Sequence, residues 1–161
     1  MGELIIRAVR DADSTGLIAL IGGAFAEYPD VYLDVDGEMP ELRNPAAAIR
    51  IDDGRWWVAE LDGAIVGSIA FSPVSADEAE LKRLYVAVKA RRRGLGKRLC
   101  GLVEHEAANR NVKKLFLWTD TRFADAHRLY QRLGYIRGPD TRVLNDVSNT
   151  IEFCYAKEFG R

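Results

Sequence analysis

Lys89, Arg91, Arg92, Arg93, Lys97 and Arg98 place six cations within ten residues, and Gly94 and Gly96 interrupt them. The cluster stands after an apolar, strand-like run and before a helix-like one. Backbone N–H groups at the start of a helix have no intrahelical acceptor, and the helix dipole there favours anions. Glycines let the main chain approach a phosphate with no Cβ in the way, and flanking cations add charge. The pattern suits a pyrophosphate; the competing reading is a basic helix start whose arginines are simply solvated.

Two other phosphate motifs fail. A Walker loop needs GxxxxGK[ST], but Gly96-Lys97 is followed by Arg98, and Arg91 stands where the first glycine belongs. A dinucleotide fingerprint needs a third glycine where Leu99 stands, and it should follow an early strand. At 161 residues, 48% hydrophobic and 29% charged, the chain reads as one soluble domain over 1–161. A formal net charge of −1 argues against a nucleic-acid partner, whose binding rests on phosphate neutralisation. Cys100 and Cys154 form neither a disulfide framework nor a metal-ligand cluster, and both read as small buried hydrophobes. With two His and no HxxxH or CxxC spacing, no metal is expected. No apolar run reaches the roughly 18–20 residues of a membrane helix. Residues 1–6 lack signal-peptide and myristoylation features, so the expectation is a cytoplasmic protein with no membrane partner.

The elements that must position the cluster follow from periodicity. Residues 4–9 read as a strand, after which Asp11 or Asp13 offers an N-cap to a helix carrying Leu17, Ile18, Leu20, Ile21, Ala24 and Phe25. Gly22-Gly23 is expected to weaken or bend that helix, at about 1 kcal/mol per Gly relative to Ala. Residues 28–44 read as irregular and acidic, with Asn44-Pro45 as cap and first residue of a short helix. Strands follow at 55–61, 65–72 and 80–88, the first two joined by Asp62-Gly63, a two-residue hairpin signal. Leu95, Leu99, Leu102, Val103 and Ala107 mark one face of a helix. A strand at 114–119 precedes a helix with Ala126, Leu129, Tyr130 and Leu133, closed by Gly134. The last strands, at 135–137 and 150–155, are expected to be joined by a Gly138-Pro139-Asp140 turn and a polar loop. The order βααβββαβαββ predicts an α/β (α+β) domain, a mixed sheet of about seven strands flanked by about four helices. Its middle strands form an antiparallel meander, and a right-handed crossover makes the strands at 80 and 114 parallel.

Arg91-x-x-Gly94-x-Gly96 between strand and amphipathic helix resembles the acetyl-CoA motif of the GNAT acetyltransferases, [QR]xxGx[GA]. Residues 123–135, with Ala126, Leu129, Tyr130, Gly134 and Tyr135, resemble that family's later helix, roughly NxxAxxLYxxxGF. Either motif alone is weak; both together, separated by one helix and one strand, are specific, and the resemblance runs from about Gly63 to Tyr135. Two positions depart from it: Arg92, where a glycine is frequent, and Phe123, where an asparagine often contacts the cofactor. The resemblance implies a GNAT fold and transfer of an acetyl group from acetyl-CoA to a primary amine by direct attack in a ternary complex. The acceptor is a small molecule or a peptide amine, with no metal. It also implies that the strands at 80–88 and 114–119 splay apart around pantetheine, which lies along the main chain of Leu84, Tyr85 and Val86. Arg91, Arg92, Arg93, Gly94, Leu95, Gly96 and Lys97 would surround the pyrophosphate, and an N–H near Val86 would polarise the thioester carbonyl. A non-catalytic acyl-CoA sensor or interaction module of the same fold is the alternative. Dimers are common in the family, which leaves a homodimer open.

By the same resemblance Tyr130 stands at the general acid, the competing reading being a core aromatic on the face of Leu129 and Leu133. Its ordinary pKa of about 10, against about 8.5 for a thiol, makes thiolate protonation uphill by roughly 2 kcal/mol. Glu80 stands where one branch of the family carries its base, and a carboxylate near 4.3 serves there only if burial raises its pKa or a water relays. An exposed Glu80 beside Lys82 is the competing reading. His127 reads as a helix-surface residue and an alternative base, and His105 as solvated. The acidic segment from Tyr28 to Glu41 would build the acceptor groove, Asp34, Asp36 and Glu38 drawing a cationic amine between walls of Tyr28, Tyr32, Trp56 and Trp57; an ordinary solvated loop is the competing reading.

Overall fold

Asp62 and Gly63 both adopt positive φ, 51° and 81°, as a two-residue hairpin requires, and Leu61 pairs antiparallel with Ala64 across them. In the computed structural model, which describes residues 2–159, this hairpin lies within a seven-stranded sheet. Met1, Gly160 and Arg161, part of the single-domain expectation, lie outside the described residues. The strands are β1 (Leu4–Ala8), β2 (Arg55–Leu61), β3 (Ala64–Pro73), β4 (Glu78–Val86), β5 (Lys114–Asp120), β6 (Ile136–Val143) and β7 (Ile151–Glu158). They run in the spatial order β1-β2-β3-β4-β5-β7-β6, every pair antiparallel except β4–β5. The helices are α1 (Ser14–Phe25), α2 (Val35–Glu38), α3 (Pro45–Ile51), α4 (Leu95–Asn109) and α5 (Ala124–Arg132). Four of them match the expected order. The addition, α2, is a single turn within the acidic stretch, and Asp34 caps it by accepting from the Gly37 N–H at 3.1 Å.

Strand alternation divides the apolar residues between two cores. Ile69, Phe71 and Leu81 meet Leu95, Leu99 and Val103 of α4 on one face. Trp56, Val58 and Ala70 meet Leu17, Ile21 and Phe25 of α1 on the other. That burial outweighs the Gly22-Gly23 penalty, and α1 is continuous. No described helix is long and apolar enough to cross a membrane.

Three local expectations change. Asn44 makes no side-chain cap; Asp11 reaches across instead, and its Oδ1 accepts the Ala46 and Ala47 N–H groups at 2.9 and 3.2 Å. Asp13 does not cap α1 either. Its carboxylate takes both Nη atoms of Arg7, at 2.8 and 2.9 Å, and the Arg10 N–H at 2.8 Å. Gly138-Pro139-Asp140 is no turn but part of β6, where the register against β7 slips between Arg137 and Thr141. β6 is an edge strand, so a proline there need not break a ladder bond, and the bulge absorbs it.

The feature that matters most for the site is where the sheet comes apart. β4 and β5 pair only between Glu78–Glu80 and Lys114–Phe116. Ser68 lies opposite Tyr85 and Ala70 opposite Lys82, so β4 carries one residue more than β3 there, and Arg83 takes φ 59°. A bulge of this kind bends its strand, and the second half of β4 leaves β5 behind.

Candidate active site

The opening between β4 and β5 has two mouths. A groove of about 1080 Å³ runs from Leu84 and Val86 past residues 91–97 to the near face of α5. A second cavity of about 580 Å³ lies across the strand ends and holds Glu80, Arg83, Trp118, Tyr130 and Arg142. Leu84, Tyr85, Phe123 and Ala126 line both, so the two meet inside the sheet. The Ala87 N–H bonds Val66 O at 2.8 Å, so by alternation Tyr85 also faces β3, while Leu84 and Val86 turn their N–H and C=O groups into the gap. Arg91 Nε occupies the Val86 carbonyl at 3.0 Å. Tyr85 contributes its ring, packed edge-on to Phe25 at 5.9 Å.

At the far end of the groove, Arg92 and Gly94 take φ 63° and 72°. Left-handed residues alternating with ordinary ones turn successive N–H groups to one side, a concavity suited to anions. α4 then starts without a side-chain cap, and its first ladder bond is Arg98 N–H to Gly94 O at 3.0 Å. The amides of Leu95, Gly96 and Lys97 therefore have no backbone acceptor among the described residues. Gly96 has a packing reason as well: a Cβ there would stand 3.0 Å from Leu129 Cδ2 of α5. Arg91 is a brace. Its Nη atoms hold both oxygens of Glu27 at 2.7 Å, tying the loop to the end of α1. Arg93 is not part of the groove wall. The basic loop thus offers free amides and the exposed Arg92 and Lys97 to an anion, with Arg91 already engaged.

Tyr130 is 5% exposed and lines the second cavity, its hydroxyl without a hydrogen-bond partner among the described residues. Burial pushes its pKa well up, so the proton stays on. Among the described residues Glu80 forms no salt bridge, and burial raises its pKa against the pull of Lys82, Arg142 and Arg83. The exposed strand-start reading of Glu80 is set aside. An acid that keeps its proton and a carboxylate made more basic line one cavity, an arrangement able to give a proton and take another.

Several expected site residues lie elsewhere. His127 is buried, with Nε2 3.0 Å from the Asp120 carbonyl and burial lowering its pKa, and it lines neither cavity. Its ring packs between Phe153 and Tyr155, which a helix-surface reading does not anticipate. Trp56 is core, its Nε1 donating to Ser68 Oγ at 2.9 Å, and neither it nor Trp57 walls a cavity. Asp36 pairs with Arg43 and Asp34 caps α2; of the three acids only Glu38 lines the second cavity, with Tyr32. Tyr28 sits on the groove side, 4.9 Å from Phe123. Cys100 is buried, its thiol pushed up to about 12, and Cys154 is half-buried. Among the described residues no His, Cys, Asp and Glu side chains group to hold a metal.

Sequence reading missed Arg83, Trp118, Arg142 and Asp146, which line the cavity from β4, β5, β6 and the loop after β6. Trp118 alternates with the core residues Leu115 and Leu117 and could have been placed on the opposite face. The other three carry no local signal. The β6–β7 loop is stitched over the cavity: the Tyr32 N–H donates to Ser148 Oγ at 2.8 Å, and the Val147 N–H to Glu38 at 3.2 Å.

The model of the acetyltransferase (GNAT) family matches residues 19–135. The uncharacterized N-acetyltransferase YjgM of Escherichia coli K12 is 30% identical over 83 residues, half of each chain. The chain spans about half the length of the curated relatives it matches. A GNAT-family acetyltransferase of Staphylococcus aureus Mu50 superposes with a TM-score of 0.82 at 21% identity, covering 97% of this chain and 99% of that one. The PaiA N-acetyltransferase of Thermoplasma acidophilum, solved in complex with coenzyme A, gives 0.74 at 17% identity, over 98% and 99%.

Proposed function

The chain belongs to the acetyltransferase (GNAT) family, and on that premise we propose that it moves an acetyl group from acetyl-CoA to a primary amine that is a cation in solution. The observation that carries this reading is the meeting of groove and cavity at Leu84, Tyr85, Phe123 and Ala126. A thioester entering from one side and an amine from the other come together between Glu80 and Tyr130. Acetyl-CoA supplies the activated acetyl group. The free amides of residues 95–97, with Arg92 and Lys97, hold its pyrophosphate; the main chain of Leu84 and Val86 aligns the pantetheine, and the Val86 N–H polarises the thioester carbonyl. Glu80 takes the ammonium proton, directly or through a water. The amine nitrogen then bonds to the carbonyl carbon as the C–S bond breaks. Tyr130 gives its proton to the departing sulfur and recovers one as the acylated nitrogen sheds its second proton, and Glu80 passes its own to solvent, so one proton is released per turnover.

The cavity's charges support a cationic acceptor. Arg83 pairs with Glu41, Arg142 with Glu152 and Arg122 with Asp120, which leaves Glu38, Glu80 and Asp146 with no salt-bridge cation among the described residues. The test is incubation of the protein with acetyl-CoA and a panel of small amines and basic peptides, following free thiol and acetylated product. Expected are transfer to at least one cationic amine and initial-velocity patterns of a ternary complex. An acetylated enzyme with ping-pong kinetics would overturn the direct-attack mechanism. Tight acetyl-CoA binding with no transfer to any amine would instead indicate a binding module.

A further inference from the structure

Ser72 Oγ is fully shielded from solvent and has no hydrogen-bond partner among the described residues. Ser72 is 6% exposed, so bulk water does not satisfy it. A buried hydroxyl left unpaired is disfavoured, and one that persists calls for a role. Its place in the sheet supplies one. Ser72 on β3 lies directly opposite Glu80 on β4. The flanking residues Phe71, Ala79 and Leu81 belong to the core under α4, so alternation turns both Ser72 and Glu80 to the other face, the face of the second cavity. Residues directly opposite in an antiparallel pair have Cβ atoms about 4.5–5.5 Å apart. A rotating hydroxyl and a three-torsion carboxylate close the remaining distance to the roughly 2.5–2.7 Å of an O–H···O⁻ bond.

The surroundings offer the hydroxyl little else. One residue beyond the Arg55–Phe71 pair, β2 is preceded by Gly54, which has no side chain, and Ala70 is apolar. Phe116, opposite Glu80 on β5, is a ring. The charged groups acting on Glu80 are Lys82 and Arg83 on its own strand, Arg142 on β6 and Glu152 on β7, with Glu38 and Asp146 on the walls of the same cavity. Lys82 leans toward Asp52, 4.0 Å away, Arg83 is engaged by Glu41 and Arg142 by Glu152. None of these cations is a salt-bridge partner of Glu80 among the described residues, and Ser72 is an uncommitted donor directly across the strands from it.

We propose that the Ser72 hydroxyl is a positioning residue that donates to the Glu80 carboxylate, fixing its orientation and stabilising its ionised form inside the cavity. The inference rests on the reading of Glu80 as the base. A donor to a carboxylate favours the charged form, whereas burial disfavours it, so Ser72 keeps Glu80 ionised over a wider pH range than its desolvation alone allows. Removing the hydroxyl therefore moves the acidic limb of the pH–rate profile upward.

The experiment compares kcat/KM against pH for the unaltered protein, Ser72→Ala, Ser72→Thr and Glu80→Gln, with a side-chain carboxyl NMR titration of Glu80 in the first three. Ser72→Ala is expected to raise both the acidic limb and the Glu80 titration midpoint by about 1 pH unit, the scale of a hydrogen bond to a charged group. Ser72→Thr keeps the hydroxyl and restores both. A merely structural serine moves neither. If the Glu80 midpoint is the same in Ser72→Ala as in the unaltered protein, the inference is wrong, whatever the rates do. If Glu80→Gln leaves the acidic limb in place, the base is another group; the midpoint in Ser72→Ala still decides whether the hydroxyl serves Glu80.

Discussion

Under the proposed mechanism Tyr130 is the proton donor, and its surroundings combine core packing with access to the cavity. Its ring packs at 6.1 Å from Tyr135 and 5.9 Å from Tyr155, inside the core cluster of α4 and α5, while its oxygen has no hydrogen-bond partner among the described residues and borders the cavity. Because burial raises its pKa, the roughly 2 kcal/mol by which tyrosine is a weaker acid than a thiol is a lower bound for the free protein. Desolvation of the thiolate in the same gap penalises that anion as well, which offsets the rise and returns the transfer to about 2 kcal/mol uphill. Tyr130→Phe removes only the hydroxyl. It should lower kcat by 10²- to 10⁴-fold where chemistry limits the rate, alter the basic limb, and leave the acetyl-CoA Kd unchanged. A near-normal kcat with an unaltered pH profile would make Tyr130 a packing residue. His127 shows the converse case: a titratable side chain next to the chemistry in sequence, yet tied to the Asp120 carbonyl and closed off from both cavities.

The loop between β4 and α4 behaves as one element, because its conformation, not its charge alone, aims the amides. Gly94 and Gly96 serve it differently, and their substitutions separate shape from packing. A Cβ on Gly94 meets no atom within 4 Å, but φ of 72° strains any L-residue there by about 1–2 kcal/mol. Gly94→Val should therefore weaken acetyl-CoA binding at least about tenfold by calorimetry. It should lower Tm by only a few degrees, about 2–4 °C per kcal/mol for a chain of this size. Gly96→Val should also disturb the α4–α5 contact through Leu129, and is the poorer test of the cofactor site. Arg92→Gly gives the complementary result. It relaxes a left-handed residue at φ 63°, keeps the loop's shape, and should weaken binding mainly at low salt, where exposed charge is least screened. Unchanged affinity in a folded Gly94→Val protein would move the pyrophosphate away from this loop.

At the scale of the molecule, one charged junction fastens the first strand to the first helix. Asp13 is nearly buried and accepts three hydrogen bonds, two from Arg7 and one from the Arg10 N–H, and Glu60 on β2 lies 3.3 Å from Arg7. The hydrogen bonds from Arg7, assisted by Arg10, hold the Asp13 carboxyl below its ordinary value. A carboxylate with a depressed folded-state pKa contributes stability that is complete above its unfolded value, near 3.8, and is lost as pH falls through the folded value. Asp13→Asn leaves a half-buried arginine short of its charged partner and should cost about 3 kcal/mol, the upper end for hydrogen bonds to a charged group. Tm should fall by about 6–12 °C at neutral pH, and the gap from the unaltered protein should narrow as the medium is acidified below pH 4. Equal stability at neutral pH would show that Glu60 alone satisfies Arg7.

The sequence by itself determined what depends on neighbours along the chain. The period-3.6 faces of α4 and α5, the Asp62-Gly63 hairpin, the glycine closing α5 and the succession of elements along the chain all follow from spacing, because helices and tight turns are local. So did the basic loop with its two glycines, whose motif spans six residues. Tertiary structure decided which side chains of distant segments meet. The bulge at Arg83 and the three-residue β4–β5 ladder set the gap, and neither has a sequence sign, since register is a property of the pair and not of the strand. The cavity wall gathers Glu38, Glu80, Trp118, Arg142 and Asp146 from five places in the chain, while Asp34, Asp36, Trp56 and Trp57 turn elsewhere. Asp11 capping a helix 35 residues away and Ser72 facing Glu80 are outcomes of the same kind. A side chain's type is written in the sequence; which partner it meets is set by how the sheet twists, pairs and parts.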